Sequence, residues 1–332
     1  MSLTAAQGQR VLDHALDEIF ARVRIAVDRR SVLIDEESLP VSGSADVDPA
    51  LAAYIYGKFH TRSNAAEHEP GRVRSDPRLE SMIVRATPRT MTSVRLPLIE
   101  TCADPSGVFA RYFGLRVFIP SERCLQIGVD SVLAKVQTVL PYMSMGYFHY
   151  TGQAGSGTST SLLRVYYASD SPEAAVDAWK SLLDLADGEM IPFRAKILSR
   201  SFEYPRSDAI VVYLPPEAWR WTESIGRVLS AGSTTDLRSV FTRALGEGVA
   251  ASWEPQLSTD TPRRRSFGEH RSHAVARGFS DAVRYGFDLV DAVRSSLIGS
   301  GVDPLSVHRN IDSPPFDLGA RSHNREMAGL GS

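Results

Sequence analysis

Residues 191–215 read IPFRAKILSRSFEYPRSDAIVVYLP, two apolar runs with a charged centre. "IPF" and "AIVVYLP" have the β-branched and aromatic composition of strands packed on a core. Phe193, Ala195 and Ile197 alternate with Arg194, Lys196 and Leu198. On a strand, Arg194 and Lys196 therefore leave the same face, about 7 Å apart at roughly 3.3 Å per residue. Like charges so placed repel unless water surrounds them or an anion sits in front of them. The stretch predicts a strand, a connection and a second strand, with either a solvated cationic face or an anion site.

The flanking segments extend the pattern. "SLLRVYYAS" (161–169) reads as a strand and "SPEAAVDAWKSLLDLADGE" (171–189) as a helix, with Ser171 at the N-cap and Pro172 at the first helical position. "PEAWRWTESIGRVLS" (216–230) reads as a helix and 236–253 as a further element. Residues 258–271 read as an irregular basic segment. "EHRSHAVARGFSDAVRYG" (269–286) and "DLVDAVRSSLIGSG" (288–301) close the fold as helices, Gly301 supplying a stop. From Ile311 the chain is Pro-, Ser- and Gly-rich, the composition of a poorly ordered tail.

Toward the N-terminus, Val11, Leu12, Ala15, Ile19, Val23 and Ile25 fall near helical spacing over 8–28. A second helix opens at Asp48-Pro49 and ends on Lys58, His60 and Arg62, cations suited to a helix C-terminus. Residues 63–92 are polar and Pro-punctuated, a long surface segment. Short strands are expected at 93–100, 115–120, 124–129 and 146–151, and a short helix at 131–142, ended by Pro141. "GQAGSGTSTS" (152–161) lacks the Gly-Lys-Ser/Thr ending of a phosphate loop and reads as a hairpin loop. Helices first, then strands mixed with helices, predict an α+β fold. Its sheet should be antiparallel or mixed and flanked by helices. The N-terminal portion is expected to be mainly helical, and the expected division is a region of helices and short strands packed on the core (1–140), an α+β core (141–312) and a disordered tail (313–332).

The 332 residues are 43% apolar and 23% charged, with 37 Lys plus Arg against 39 Asp plus Glu, a net charge of −2. That balance excludes the basic excess of a nucleic-acid binder. Lysine occurs only as Lys58, Lys135, Lys180 and Lys196, so Lys196 stands out in an arginine-rich region. Unlike Arg, Lys can serve as a base when its surroundings permit. Two cysteines, Cys102 and Cys124, form no CxxC pair and no ligand cluster, so neither a disulfide scaffold nor a metal site is expected. The N-terminal stretch shows no basic segment followed by an apolar run, so no secretion signal is expected, and no apolar run approaches roughly 20 residues. A cytoplasmic protein with no membrane span, no nucleic-acid partner and no cofactor is expected.

The order of "LLRVYYAS", a helix beginning S-P-E-A-A, "PFRAKIL", "RSDAIVVYLP", "SFGEHRSHAVARG" and "GVDPLSVHRNIDS" resembles the HopA-type effector family. The resemblance runs from about Tyr147 to Asp312, with a weaker echo at "YIYGKFHTR". Such domains occur in plant-pathogen type III effectors. They also occur as stand-alone lyases of class V lanthipeptide and thioamitide biosynthesis. The biosynthetic members imply elimination of phosphate from phosphoserine or phosphothreonine in a precursor peptide, giving dehydroalanine or dehydrobutyrine. A separate Ser/Thr kinase would supply the phosphate and is the implied partner. "YYASDSPEAA" lacks the His-Leu-Thr-Pro run associated with that strand end, and Ser272 replaces a residue that is often Cys.

Phosphate elimination needs a base for the Cα proton, an acid for the leaving oxygen and cations for phosphate charge. A phosphoryl group carries about −1.5 to −2 near neutral pH and suits the planar fork of Arg. Lys196 is the candidate base, among the candidate phosphate ligands Arg164, Arg194, Arg206 and Arg271. His270 is the candidate acid, with His149 and His60 as secondary candidates. Tyr213 and Tyr204 are placed to orient phosphate or donate a proton. Asp208 is expected to hold an arginine, the run 263–265 to be a solvated loop or a dock for peptide or kinase, and Trp219, Trp221 and Trp253 to pack. Two other readings use the same cations: a phosphopeptide- or kinase-binding module without turnover, and a secreted effector acting in a host. Lys196 separates them, because binding tolerates Lys→Arg and base catalysis does not.

Overall fold

A computed structural model describes residues 12–316 and Leu318, apart from 28–29, 36, 41–48, 64–75, 89–90, 103–105, 113, 158, 160, 234 and 256–264. Val11, Asp48, Arg263, Arg264 and the tail beyond Leu318 lie outside the described residues.

The N-terminal portion is not mainly helical. After a 3-10 turn capped by the Asp13 side chain, α1 (Asp17–Arg22) gives way to β1 (Val23–Ile25). Val23 and Ile25 pair with Ile34 and Val32 of β2 (Ser31–Ile34), so the β-branched end of the expected helix is a strand. β3 (Glu37–Pro40) completes a three-stranded antiparallel sheet. α2 (Pro49–Ile55) continues as a π-helical turn, Tyr56–Thr61, stopped by Arg62 at φ 57°. The expected surface segment 63–92 contains α3 (Pro77–Ala86). Asp76 caps it by accepting from the amides of Arg78 and Leu79, and Leu79 and Ile83 are buried.

Five strands follow: β4 (Met91–Thr101), β5 (Gly107–Tyr112), β6 (Leu115–Pro120), β7 (Cys124–Ile127) and β8 (Ser131–Gln137). They form one antiparallel sheet in the order β6-β5-β4-β8-β7, with a core of its own around Leu96, Val108, Ala110, Ile119, Val132, Ala134 and Val136. The expected helix at 131–142 is therefore β8 and the next strand. Val132, Ala134 and Val136 alternate inward with exposed Lys135 and Gln137, a period of two that pairing with β4 selects.

The largest sheet has seven antiparallel strands in the order β14-β15-β11-β13-β12-β10-β9. They are β9 (Val139–Ser144), β10 (Tyr147–Thr151), β11 (Leu163–Ser169), β12 (Arg194–Leu198), β13 (Arg206–Leu214), β14 (Arg243–Gly246) and β15 (Val249–Trp253). Residues 152–161 are not a hairpin loop, because β12 and β13 lie between β10 and β11. The segment crosses over the start of β12, and a Cβ on Gly152 would strike the Phe193 ring. The expected α+β class, with an antiparallel sheet flanked by helices, stands.

Helices cover both faces. α4 (Pro172–Gly188) and α5 (Thr222–Ser230) pack with α3 on a core of Phe148, Val165, Trp179, Leu182, Ile197 and Val212. Ser171 caps α4 by accepting from the Ala174 amide, and Ala175, Trp179, Leu182 and Ala186 form its apolar stripe. On the opposite face lie α6 (Phe267–Tyr285) and α7 (Leu289–Gly299), with Phe267, Val275, Phe279 and Val293 against Tyr166 and Val211. Leu16, Ile19, Ile55 and Phe59 join this second core, so the N-terminal helices are built into it. α6 starts at Phe267, inside the expected irregular segment, on a capping box formed by Ser266 and Glu269. The expected disordered tail packs as far as Leu318: Phe316 stands against Trp219 and Leu318 is buried.

Candidate active site

Arg194 and Lys196 do share a face of β12, because Ala195 and Ile197 are buried in the core on the other side. Neighbouring strands place the rest. His149 on β10 is the Cα partner of Lys196, and Tyr213 on β13 is the partner of Arg194. Arg164 on β11 lies opposite Tyr213 in turn, so Arg194, Tyr213 and Arg164 form one row across three strands. The Arg194 and Arg164 guanidinium carbons lie 5.4 Å and 5.0 Å from the Tyr213 ring centroid.

The charges in this row differ in their surroundings. Arg164 is buried and bonded to the equally buried Glu254, which neutralises it. Lys196 stands half-buried with its amine 3.7 Å above the ring of Tyr147. Among the described residues no carboxylate is in ion-pair contact with it. Burial lowers the His149 pKa to about 3, and the Lys196 and Arg194 charges push the same way, so its imidazole is neutral at neutral pH. Its Nε2 meets the Ser144 hydroxyl at 2.7 Å.

Other sequence-derived candidates are engaged elsewhere. Arg206 is bonded to Asp208 and Glu203, and Glu203 to Arg200. Burial opposes ionisation of Asp208, but the Arg206 charge outweighs it and holds the carboxyl below its usual range. Asp208 thus holds an arginine as expected. Arg271 is fully buried, and its guanidinium donates to the carbonyls of Val307 and Arg309 and to Asn310 Oδ1. It fastens the segment after α7 to α6, and burial lowers its pKa to about 9. His270 accompanies it, with Nδ1 2.9 Å from the Arg271 guanidinium, and burial followed by the Arg271 charge lowers its pKa to about 3. His60 lies under α6 with Nδ1 2.8 Å from the Ser239 hydroxyl. The Tyr204 hydroxyl donates to the Leu198 carbonyl at 3.1 Å.

The fold therefore gathers Arg194, Lys196, Tyr213, His149 and Arg164, and sets Arg206, Arg271, His270, His60 and Tyr204 in structural contacts. Sequence reading missed Tyr147, Glu254 and Glu203. Parity along β10 puts Tyr147 on the His149 side, a signal the sequence does carry; the pairing of Glu254 with Arg164, 90 residues apart, has none. Among the described residues no three His, Cys, Asp or Glu side chains could hold a metal ion, and no helix is long and apolar enough to cross a membrane.

The model of the HopA1 effector protein family matches residues 139–309, just over half of the 332. The chain belongs to the HopA1 effector protein family. The matched region begins with β9, contains the whole seven-stranded sheet and α4 to α7, and ends at the segment that Arg271 fastens. The HopA1-family chain also resembles two solved structures. The effector protein from Pseudomonas syringae pv. tomato strain DC3000 has 18% identity and a TM-score of 0.39, over 49% of this chain and 62% of that one. The effector protein from Pseudomonas syringae pv. syringae strain 61 has 10% identity and a TM-score of 0.41, over 78% and 88%. Neither likeness is strong enough to bear on activity. Among curated proteins none matches.

Proposed function

We propose that the Arg194–Lys196 face eliminates phosphate from phosphoserine or phosphothreonine in a precursor peptide, leaving dehydroalanine or dehydrobutyrine. The observation that carries this reading is the setting of Lys196. Its amine rests on an aromatic ring instead of a carboxylate, beside Arg194 on a half-exposed sheet face. Arg194 binds the phosphate oxygens. Once its ammonium has given a proton to solvent, the Lys196 amine takes the Cα proton, the C–H electron pair becomes the C=C bond, and the Cβ–O bond breaks with its pair passing to phosphate. Tyr213, which lies between two guanidinium groups, protonates the leaving oxygen in this reading, the role expected of His270 from sequence. No cofactor is required. The phosphorylated peptide comes from a separate Ser/Thr kinase acting in the cytoplasm. The biosynthetic assignment is supported by the resemblance carried by "PFRAKIL", "RSDAIVVYLP" and "SFGEHR".

The name of the family favours a second reading, an effector domain that binds or modifies a phosphorylated host protein. Mass spectrometry of a phosphothreonine peptide incubated with wild type and with Lys196→Arg separates these. Elimination removes about 98 Da, the mass of phosphoric acid, and hydrolysis about 80 Da. The lyase reading expects the larger loss in wild type, reduced at least about a thousandfold in the variant. Binding retained by both proteins with no mass change would instead identify a recognition domain.

A further inference from the structure

Tyr147 stands two residues before His149 on the same face of β10, buried at 8% exposure, and its ring lies under the Lys196 amine. Its hydroxyl donates to Asp208 Oδ2 at 3.0 Å. Asp208 is in turn bonded to Arg206, which also pairs with Glu203. The ring is thus fixed at its polar end by a buried ionic network. An ammonium is drawn to the negative face of an aromatic ring. A phenol whose proton is shared with a carboxylate is more electron-rich, which strengthens that attraction. A ring also keeps an amine in place without an ion pair that would compete with a bound phosphate.

We propose that Tyr147 is the positioning residue for the Lys196 amine, and that Asp208 acts on it through the Tyr147 hydroxyl. The kinetic half of this inference rests on the lyase reading; the contact itself rests on geometry alone. Lys196 shares the chain with only three other lysines, Lys58, Lys135 and Lys180, all exposed. Reductive methylation with 13C-formaldehyde therefore gives four dimethyl-lysine signals, and the one absent in Lys196→Arg is assigned. Ring current should place that signal upfield of the other three. It should remain upfield in Tyr147→Phe, which keeps the ring, and rejoin the others in Tyr147→Leu. A wild-type Lys196 signal among the other three overturns the proposal.

With unmethylated protein and a phosphothreonine peptide, Tyr147→Leu should lower kcat about tenfold or more. KM should stay within about twofold, because Arg194 still binds phosphate. Tyr147→Phe should lose less. A raised KM with unchanged kcat would make Tyr147 a binding residue and overturn the positioning role. A wild type that eliminates no phosphate overturns the lyase reading instead, and the NMR comparison then decides the Tyr147 contact by itself.

Discussion

His60 is enclosed by the rings of Tyr56, Tyr166, Phe241 and Phe267, at centroid distances of 5.4 to 6.4 Å. A Cβ on Gly268 would collide with its imidazole, so α6 reaches this depth only because residue 268 is glycine. Burial lowers the His60 pKa from 6.5 to about 4. Below pH 6.5 the unfolded chain takes a proton that the folded chain refuses until about pH 4. Stability is thus complete above pH 6.5 and falls as pH drops toward 4, by about 3 kcal/mol for this group. His149, His270 and His308 are lowered to about 3, 3 and 4 by burial, and act in the same direction. Urea denaturation at pH 7.5 and pH 5 should show this loss. In His60→Phe the difference between the two pH values should shrink by about 2 kcal/mol; an unchanged difference would remove His60 from the account.

At the scale of elements, α6 joins α7, α2 and the segment after α7 in the second core. Its capping box opens it, Arg271 ties it to residues 307–310, and Gly286 at φ 72° ends it. Against α7 it approaches so closely that a Cβ on Gly278 would stand 2.5 Å from the Val293 Cα. Backbone cannot retreat as a flexible side chain can, so Gly278→Ala should cost roughly 1–3 kcal/mol by overpacking. Gly299→Ala, near the end of α7 where nothing lies within 4 Å, should be neutral or slightly stabilising. Thermal melting of the two variants checks the sign as well as the size. Equal melting points would mean that the helix pair can part without cost.

Across the molecule, the described residues form three cores, and the one formed by β4 to β8 lies outside the family-matched residues. β13, by contrast, is paired on both edges and covered on both faces. Val132→Ala, in the five-stranded sheet, should cost roughly 2 kcal/mol locally. Native-state hydrogen exchange should then quicken in β4 to β8 and stay unchanged in β11 and β13. A uniform change would show that the sheets open as one unit.

Sequence by itself determined the elements whose local signals agree. Alternation over 193–198 put Arg194 and Lys196 on one face, and Ser171-Pro172 with the stripe through Trp179 specified α4, since parity and capping are properties of neighbouring residues. The α+β class followed from their order. Tertiary structure alone decided what a local window cannot contain. Residues 131–142 fit a helical or a strand pattern until β4 supplied the partner, and 152–161 looked like a hairpin because strand order is not local. The same limit governed the site: Arg164, Arg206 and Arg271 look alike in sequence to Arg194. Glu254, Glu203 and the carbonyls of Val307 and Arg309, most of them far along the chain, determine what Arg164, Arg206 and Arg271 hold.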